Sequence, residues 1–258
     1  MMNSKLFPLL TVITALLSVT ATARAADEKP AHLFILSGQS NMAGMNPKSG
    51  FEPEAALLFP GADVAYIKVA AGGQPIRLWV KEWNEIAKKH GIDPVAARAK
   101  DKEKEGTTFY QPILDQFATL LKKHPQPASV TFCWMQGERD AKENLDAAYY
   151  DALKQLIENL RRDLKQPQMR FVIGRLSDSG KPDNAPWQAV RAAQVKLAGD
   201  DPLGAWADCD DLNNKEKDGV KRDDLHYTPE GYELLGRRYV RQAKAMIEGR
   251  EPAKDGKP

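Results

Sequence analysis

Two short polar stretches, far apart in the chain, hold side chains that together can pass a proton and attack a carbonyl. Ser40 lies in Ser37-Gly38-Gln39-Ser40-Asn41-Met42-Ala43-Gly44, directly after an apolar run. A serine at the C-terminal end of a buried strand sits where open α/β sheets bind ligands. If a helix starts just after it, free backbone N–H groups face negative charge on the serine oxygen; serine also commonly caps helices without reacting. His226 lies in Asp223-Asp224-Leu225-His226-Tyr227-Thr228-Pro229, on a loop before a helical pattern. Asp223, three residues upstream, can fold back to accept from the ring Nδ1–H, which leaves Nε2 free to take a proton from a hydroxyl. The other histidines read more plainly: His90 and His124 close lysine-rich helical segments, and His32 opens a strand at the opposite edge.

Two further stretches can stabilise charge. Trp134-Met135-Gln136-Gly137-Glu138-Arg139-Asp140 follows another apolar run. There Gln136 can point an amide N–H at a developing oxyanion, whereas ionised Glu138 can only accept and is suited to holding loops in place. Ala71-Gly72-Gly73-Gln74-Pro75-Ile76 has two glycines, whose bare backbone lets N–H groups approach a ligand closely.

These stretches need a scaffold, and the hydropathy pattern supplies one. Short apolar or β-branched runs at 32–37, 63–69, 129–134, 170–176 and 204–207 predict five strands buried on both faces. Between them, 111–123, 146–165, 187–197 and 229–248 carry helical spacing; Leu153, Leu156, Ile157, Leu160 and Leu164 form one apolar stripe. Thr228 can cap the last helix, with Pro229 at its first position. The alternation predicts an α/β fold with a doubly wound parallel sheet. Residues 92–108 break the rhythm and read as a surface excursion able to border a cleft.

Composition narrows the partners. With 258 residues, 42% hydrophobic and 28% charged, the chain falls in the globular range. An uncharged run from Leu6 to Val19 and the Ala23-Arg24-Ala25 pattern read as an export signal cleaved after Ala25, too short to anchor the protein in a membrane. Without Lys5 and Arg24 the remaining 233 residues carry 35 basic and 35 acidic side chains. Such a balance offers no field for nucleic acid. Residues 26–258 are expected to form one domain. Cys133 and Cys209 make neither a disulfide framework nor a metal cluster, and the acidic group Asp208, Asp210 and Asp211 reads as a polar loop, with no histidine near in sequence to suggest a metal site.

Taken together, Gly38-Gln39-Ser40-Asn41-Met42, Gly72-Gly73-Gln74-Pro75-Ile76 with Trp79, Trp134-Met135-Gln136-Gly137-Glu138, and Asp223 to His226 resemble the sequence blocks of the SGNH hydrolases, specifically carbohydrate esterases of the sialate O-acetylesterase and acetylxylan esterase-like kind. The resemblance spans most of the chain after the signal, in the family's order. It implies a three-layer α/β/α fold with a five-stranded parallel sheet. It also implies Ser40 as nucleophile, His226 as base and Asp223 as its orienter, the family spacing favouring Asp223 over Asp224. Backbone N–H groups of Ser40 and Gly72 or Gly73, with the Gln136 side chain, would form the oxyanion hole, supported by Gln39, Asn41 and Glu138.

The implied reaction is hydrolysis of an O-acetyl ester on a carbohydrate, with no metal or organic cofactor. Trp79, Trp83, Trp187 and Tyr227 are candidates to stack on a sugar. Other readings on the same scaffold are a lipase, a thioesterase or a peptidoglycan O-acetyl esterase, or a carbohydrate-binding protein without turnover. The sequence does not specify an oligomeric state.

Overall fold

A strand whose every residue is buried must have both faces covered, because successive side chains point to opposite sides. That is the state of Ala31–Gly38 and of Ser129–Met135, the two strands at the heart of the molecule. The computed structural model describes residues 29–98, 108–178 and 183–253, with the side chains of residues 217 and 221–223 left out. The expected export signal and most of the 92–108 excursion lie outside the described residues.

In chain order the elements are β1 (Ala31–Gly38), α1 (Ser40–Gly44), α2 (Phe51–Leu58), β2 (Asp63–Ala70), a 3-10 turn (Ile76–Leu78), α3 (Trp83–Lys89), α4 (Pro94–Arg98), α5 (Tyr110–Lys123), β3 (Ser129–Met135), α6 (Glu138–Lys142), α7 (Asp146–Asp163), β4 (Arg170–Gly174), α8 (Ala185–Asp200), β5 (Gly204–Ala207), β6 (Asn214–Lys217), β7 (Val220–Asp223) and α9 (Pro229–Ile247). Five strands form one parallel sheet in the order β2-β1-β3-β4-β5. Helices flank it: α2 packs on α9, which lies against β3, β4 and β5, while α8 packs on β4, β5 and α7. This is the expected three-layer fold, and all five strands fall where the apolar runs predict them.

The strand order decides where a site can be. From β1 the chain crosses to β2 on one side, then returns past β1 to β3 on the other. The connections therefore diverge between the C-terminal ends of β1 and β3, opening the crevice at which doubly wound sheets bind ligands. Gly38 makes the close approach there possible. Its φ is +146°, and a Cβ on it would lie 2.0 Å from the Met135 carbonyl oxygen; that same oxygen accepts from Gln39 N–H at 2.8 Å.

The sequence reading lacked a second, two-stranded antiparallel sheet, β6–β7, inserted between β5 and the His226 loop. Its turn is Asp218-Gly219, with φ of 54° and 73°, the positive values that a tight two-residue hairpin requires. The last helix starts as expected, Thr228 Oγ1 accepting from Gly231 N–H at 2.9 Å with Pro229 in the first turn. Among the described residues, no helix is long and apolar enough to cross a membrane.

Candidate active site

Ser40 is the first residue of α1, two positions beyond the end of β1. It opens onto a cleft of about 800 Å³ that is also lined by Gly72, Gly73, Glu138, Leu225 and His226. Four of the stretches singled out in the sequence thus meet at the sheet's switch point. A Cβ built on Gly72 would sit 3.8 Å from the Ser40 Cβ, so the β2 loop lies directly beside the serine. Neither Gly72 nor Gly73 gives its N–H to a backbone acceptor among the described residues. Ser40 and the exposed His226 both line the cleft.

Asn41 is the joint between the two. Almost fully buried, it donates from Nδ2 to Glu138 Oε1 at 2.9 Å and to the Leu225 carbonyl at 3.0 Å. Its Oδ1 accepts from Tyr227 N–H at 3.4 Å and from the Tyr232 hydroxyl at 3.2 Å. The peptide groups on either side of His226 are therefore held by the residue next to Ser40.

The acidic neighbours of His226 differ. Asp223 ends β7 opposite Asn214, and its side chain lies outside the described residues. Asp224 accepts from Leu225 N–H at 2.6 Å and from Lys215 Nζ at 2.8 Å. The Lys215 hydrogen bond holds its carboxyl below the usual aspartate range. Asp224 thus braces the turn before the histidine.

Gln136 sits behind the cleft wall. It is completely buried and does not line the cleft. Its Nε2 donates to Asp140 Oδ2, to the Gln74 carbonyl at 3.1 Å and to Gln39 Oε1 at 3.4 Å. Through these acceptors its amide ties the β2 loop to the end of β3. Gln39 Oε1 also receives Arg139 N–H at 3.2 Å, so Gln39 joins the ends of β1 and β3 as a support.

Asp140, which the sequence reading did not single out, is the anchor of this brace. Its Oδ2 accepts from Ile76 N–H at 3.0 Å as well as from Gln136. Burial pushes its pKa up to about 6 and that of Glu138 up to about 7. Glu138 Oε2 is buried with no hydrogen-bond partner. An acid spaced two residues from Glu138 was visible in the sequence, but which groups it bridges depends on the fold.

Of the four aromatic residues proposed to meet a sugar, Trp79 and Trp83 are fully buried and Tyr227 nearly so. Trp187 lines the cleft beside Asn184 and Pro186, at the start of α8. Arg139, drawn to Glu143 Oε1 at 2.6 Å, and the exposed Lys142 also line the cleft. The acidic group is structural: Arg175 bridges Asp208 and Asp210, Arg191 grips Asp210, and Arg238 grips Asp211. Cys133 and Cys209 are free, buried thiols. His32 is buried against Ser129 Oγ at 2.8 Å, and His90 meets Asp151 at 2.9 Å.

Ser40, at the start of α1, and His226, on the loop before α9, thus meet beside the switch point of the parallel sheet. Residues 45–246 match the family described as carbohydrate esterase, sialic acid-specific acetylesterase, and the chain belongs to that family. A stretch of 81 residues is 37% identical to a probable 9-O-acetyl-N-acetylneuraminic acid deacetylase of Escherichia coli K12; the match covers 31% of this chain and only 22% of that protein. Two solved structures share the fold. A protein from Arabidopsis thaliana superposes with a TM-score of 0.60 at 20% identity, over 84% of this chain and 98% of the other. A carbohydrate acetylesterase from Xanthomonas citri gives 0.56 at 17%, over 87% and 57%.

Proposed function

We propose that the protein is a serine esterase that removes O-acetyl groups from carbohydrates, with Ser40 as nucleophile, His226 as general base and Asp223 as the carboxylate that orients the imidazole. One observation carries this reading: Ser40, His226 and the Gly72-Gly73 backbone line a single cleft at the switch point of the sheet. Family membership adds the ester bond and the sugar.

In the reaction, neutral His226 takes the Ser40 proton as Oγ attacks the acetyl carbonyl. The tetrahedral oxyanion is received by backbone N–H groups of Ser40 and of Gly72 or Gly73, which sit beside the nucleophile before substrate arrives. Gln136 contributes by fixing the β2 loop through Gln74 and Asp140. The imidazolium then protonates the departing sugar oxygen. Water, activated by His226, releases acetate from Ser40.

The deciding experiment measures acetate released from acetylated sialic acid, xylan, pectin and peptidoglycan fragments by wild type and by Ser40→Ala. Wild type should release acetate from at least one, and Ser40→Ala should be slower by about 10,000-fold or more. Equal rates in the two proteins would overturn the assignment.

A further inference from the structure

We infer that Glu138 is a positioning residue for His226: its ionised carboxylate pins the Asn41 amide that holds the histidine loop, making the reaction depend on a second proton besides that of the imidazole. The inference rests on the serine-esterase reading above and extends it.

The geometry has three links. Glu138 begins α6 on the cleft wall, with 5% of its surface exposed. Its Oε1 accepts from Asn41 Nδ2, and Asn41 in turn reaches the Leu225 carbonyl and the Tyr227 N–H. The Asn41 amide can serve both sides of His226 only in one orientation, and the acceptor at Glu138 selects it, since a flipped amide would set oxygen against oxygen.

A glutamine could provide the same acceptor without the cost of burying an acid. Charge is what distinguishes glutamate. An ionised oxygen makes a stronger acceptor than a neutral one, and a negative charge on the cleft wall favours the imidazolium formed when His226 takes the serine proton.

Backbone N–H groups of Gly137 and Glu138 and the Asn41 amide favour the charge, but burial outweighs them and no cation among the described residues is paired with it. Facing Glu138 are Asn41 from α1, Tyr227 from the histidine loop, Tyr232 and Tyr239 from α9, and Tyr149 from α7; Asp140 follows on α6 itself and adds repulsion. Of the nearby cations, Arg139 is committed to Glu143, and Lys142 stands exposed on the rim. Oε2 has no side-chain or solvent partner, and burial raises the pKa of Glu138 to about 7, so its charge changes near neutral pH.

The test uses the whole chain and an acetyl substrate that wild type turns over. As pH falls from 8 to 5, log kcat for wild type should drop more steeply than the unit slope of a single protonation. Glu138→Gln, which keeps volume and acceptor, should lower the maximal kcat about 3- to 10-fold, leave KM within about twofold and restore the unit slope. Glu138→Ala, which removes the acceptor, should cost about 30-fold and speed hydrogen exchange at the Leu225 to Thr228 amides; Glu138→Gln should leave that exchange unchanged.

Identical slopes in wild type and Glu138→Gln, or unchanged exchange in Glu138→Ala, would overturn the inference. Turnover that survives Ser40→Ala would instead refute the underlying esterase reading, so the two failures can be told apart.

Discussion

Ser40 and His226, the proposed nucleophile and base, are held by two very different parts of the molecule. Ser40 extends from β1, a strand buried along its whole length and paired on both sides, by β2 and β3. His226 hangs on an exposed loop between a two-stranded hairpin and α9, beside Leu225, which is 40% exposed. The core fixes one partner by packing. The other depends on a few hydrogen bonds to Asn41 and Asp224. A rigid floor with a separately tethered arm lets substrate enter between them, at the cost of making the arm's placement sensitive to single polar groups.

The contrast sharpens if the two aspartates before His226 are separated. On the proposed triad, Asp223→Asn should lower kcat roughly 1,000- to 10,000-fold, the cost of losing an imidazole-orienting carboxylate in serine hydrolases; single-turnover kinetics checks this, and a loss under tenfold would mean that His226 is oriented by something else.

Next in size is a stability effect on the wall between floor and arm. The pKa of Glu138 is raised in the folded state, from 4.5 to about 7. The stability linked to that raised value is present below about pH 4.5 and lost as pH rises through about 7. Glu138→Gln should therefore exceed wild type by up to about 3 kcal/mol at pH 8 and match it near pH 4, measured by denaturant unfolding. The same change should slow the reaction, the trade expected where a site keeps a costly charge for function.

Cutting the tether itself tests the comparison most directly. Asn41→Ala should reduce kcat about 100-fold while leaving β1 intact, the loss of about 2–3 kcal/mol expected for buried hydrogen bonds, with protection lost at the Tyr227 amide and retained in β1. The smallest effect belongs to Asp224→Asn. Its carboxylate is half exposed and paired with Lys215, so kcat should change less than about threefold.

The parts of the fold that were legible in the sequence are those where burial leaves a continuous pattern. All five parallel strands show as apolar runs, and the helix after Thr228 shows through its cap and Pro229. Helix α2 was missed because eight residues with Pro53 inside give little periodicity. The β6–β7 hairpin was missed although Asp218-Gly219 between short charged runs is a turn signal; its strands carry no apolar alternation to draw attention.

At the site, residue types and their position after strands identified the side chains that meet. Orientation was beyond the sequence. That the Gln136 amide bonds Asp140 and the Gln74 carbonyl, for example, follows from the fold and not from its place after a strand. The Trp187 wall likewise depends on where α8 begins in space.

The adjacency of Asn41 to Ser40 has a mechanical consequence. Ser40 and the His226 loop are both referenced to the same two residues, so a thermal displacement of the β1 end carries the serine and the histidine loop along together. Their separation is thereby insulated from breathing of the outer sheet, much as two instruments bolted to one plate keep their alignment when the table shakes.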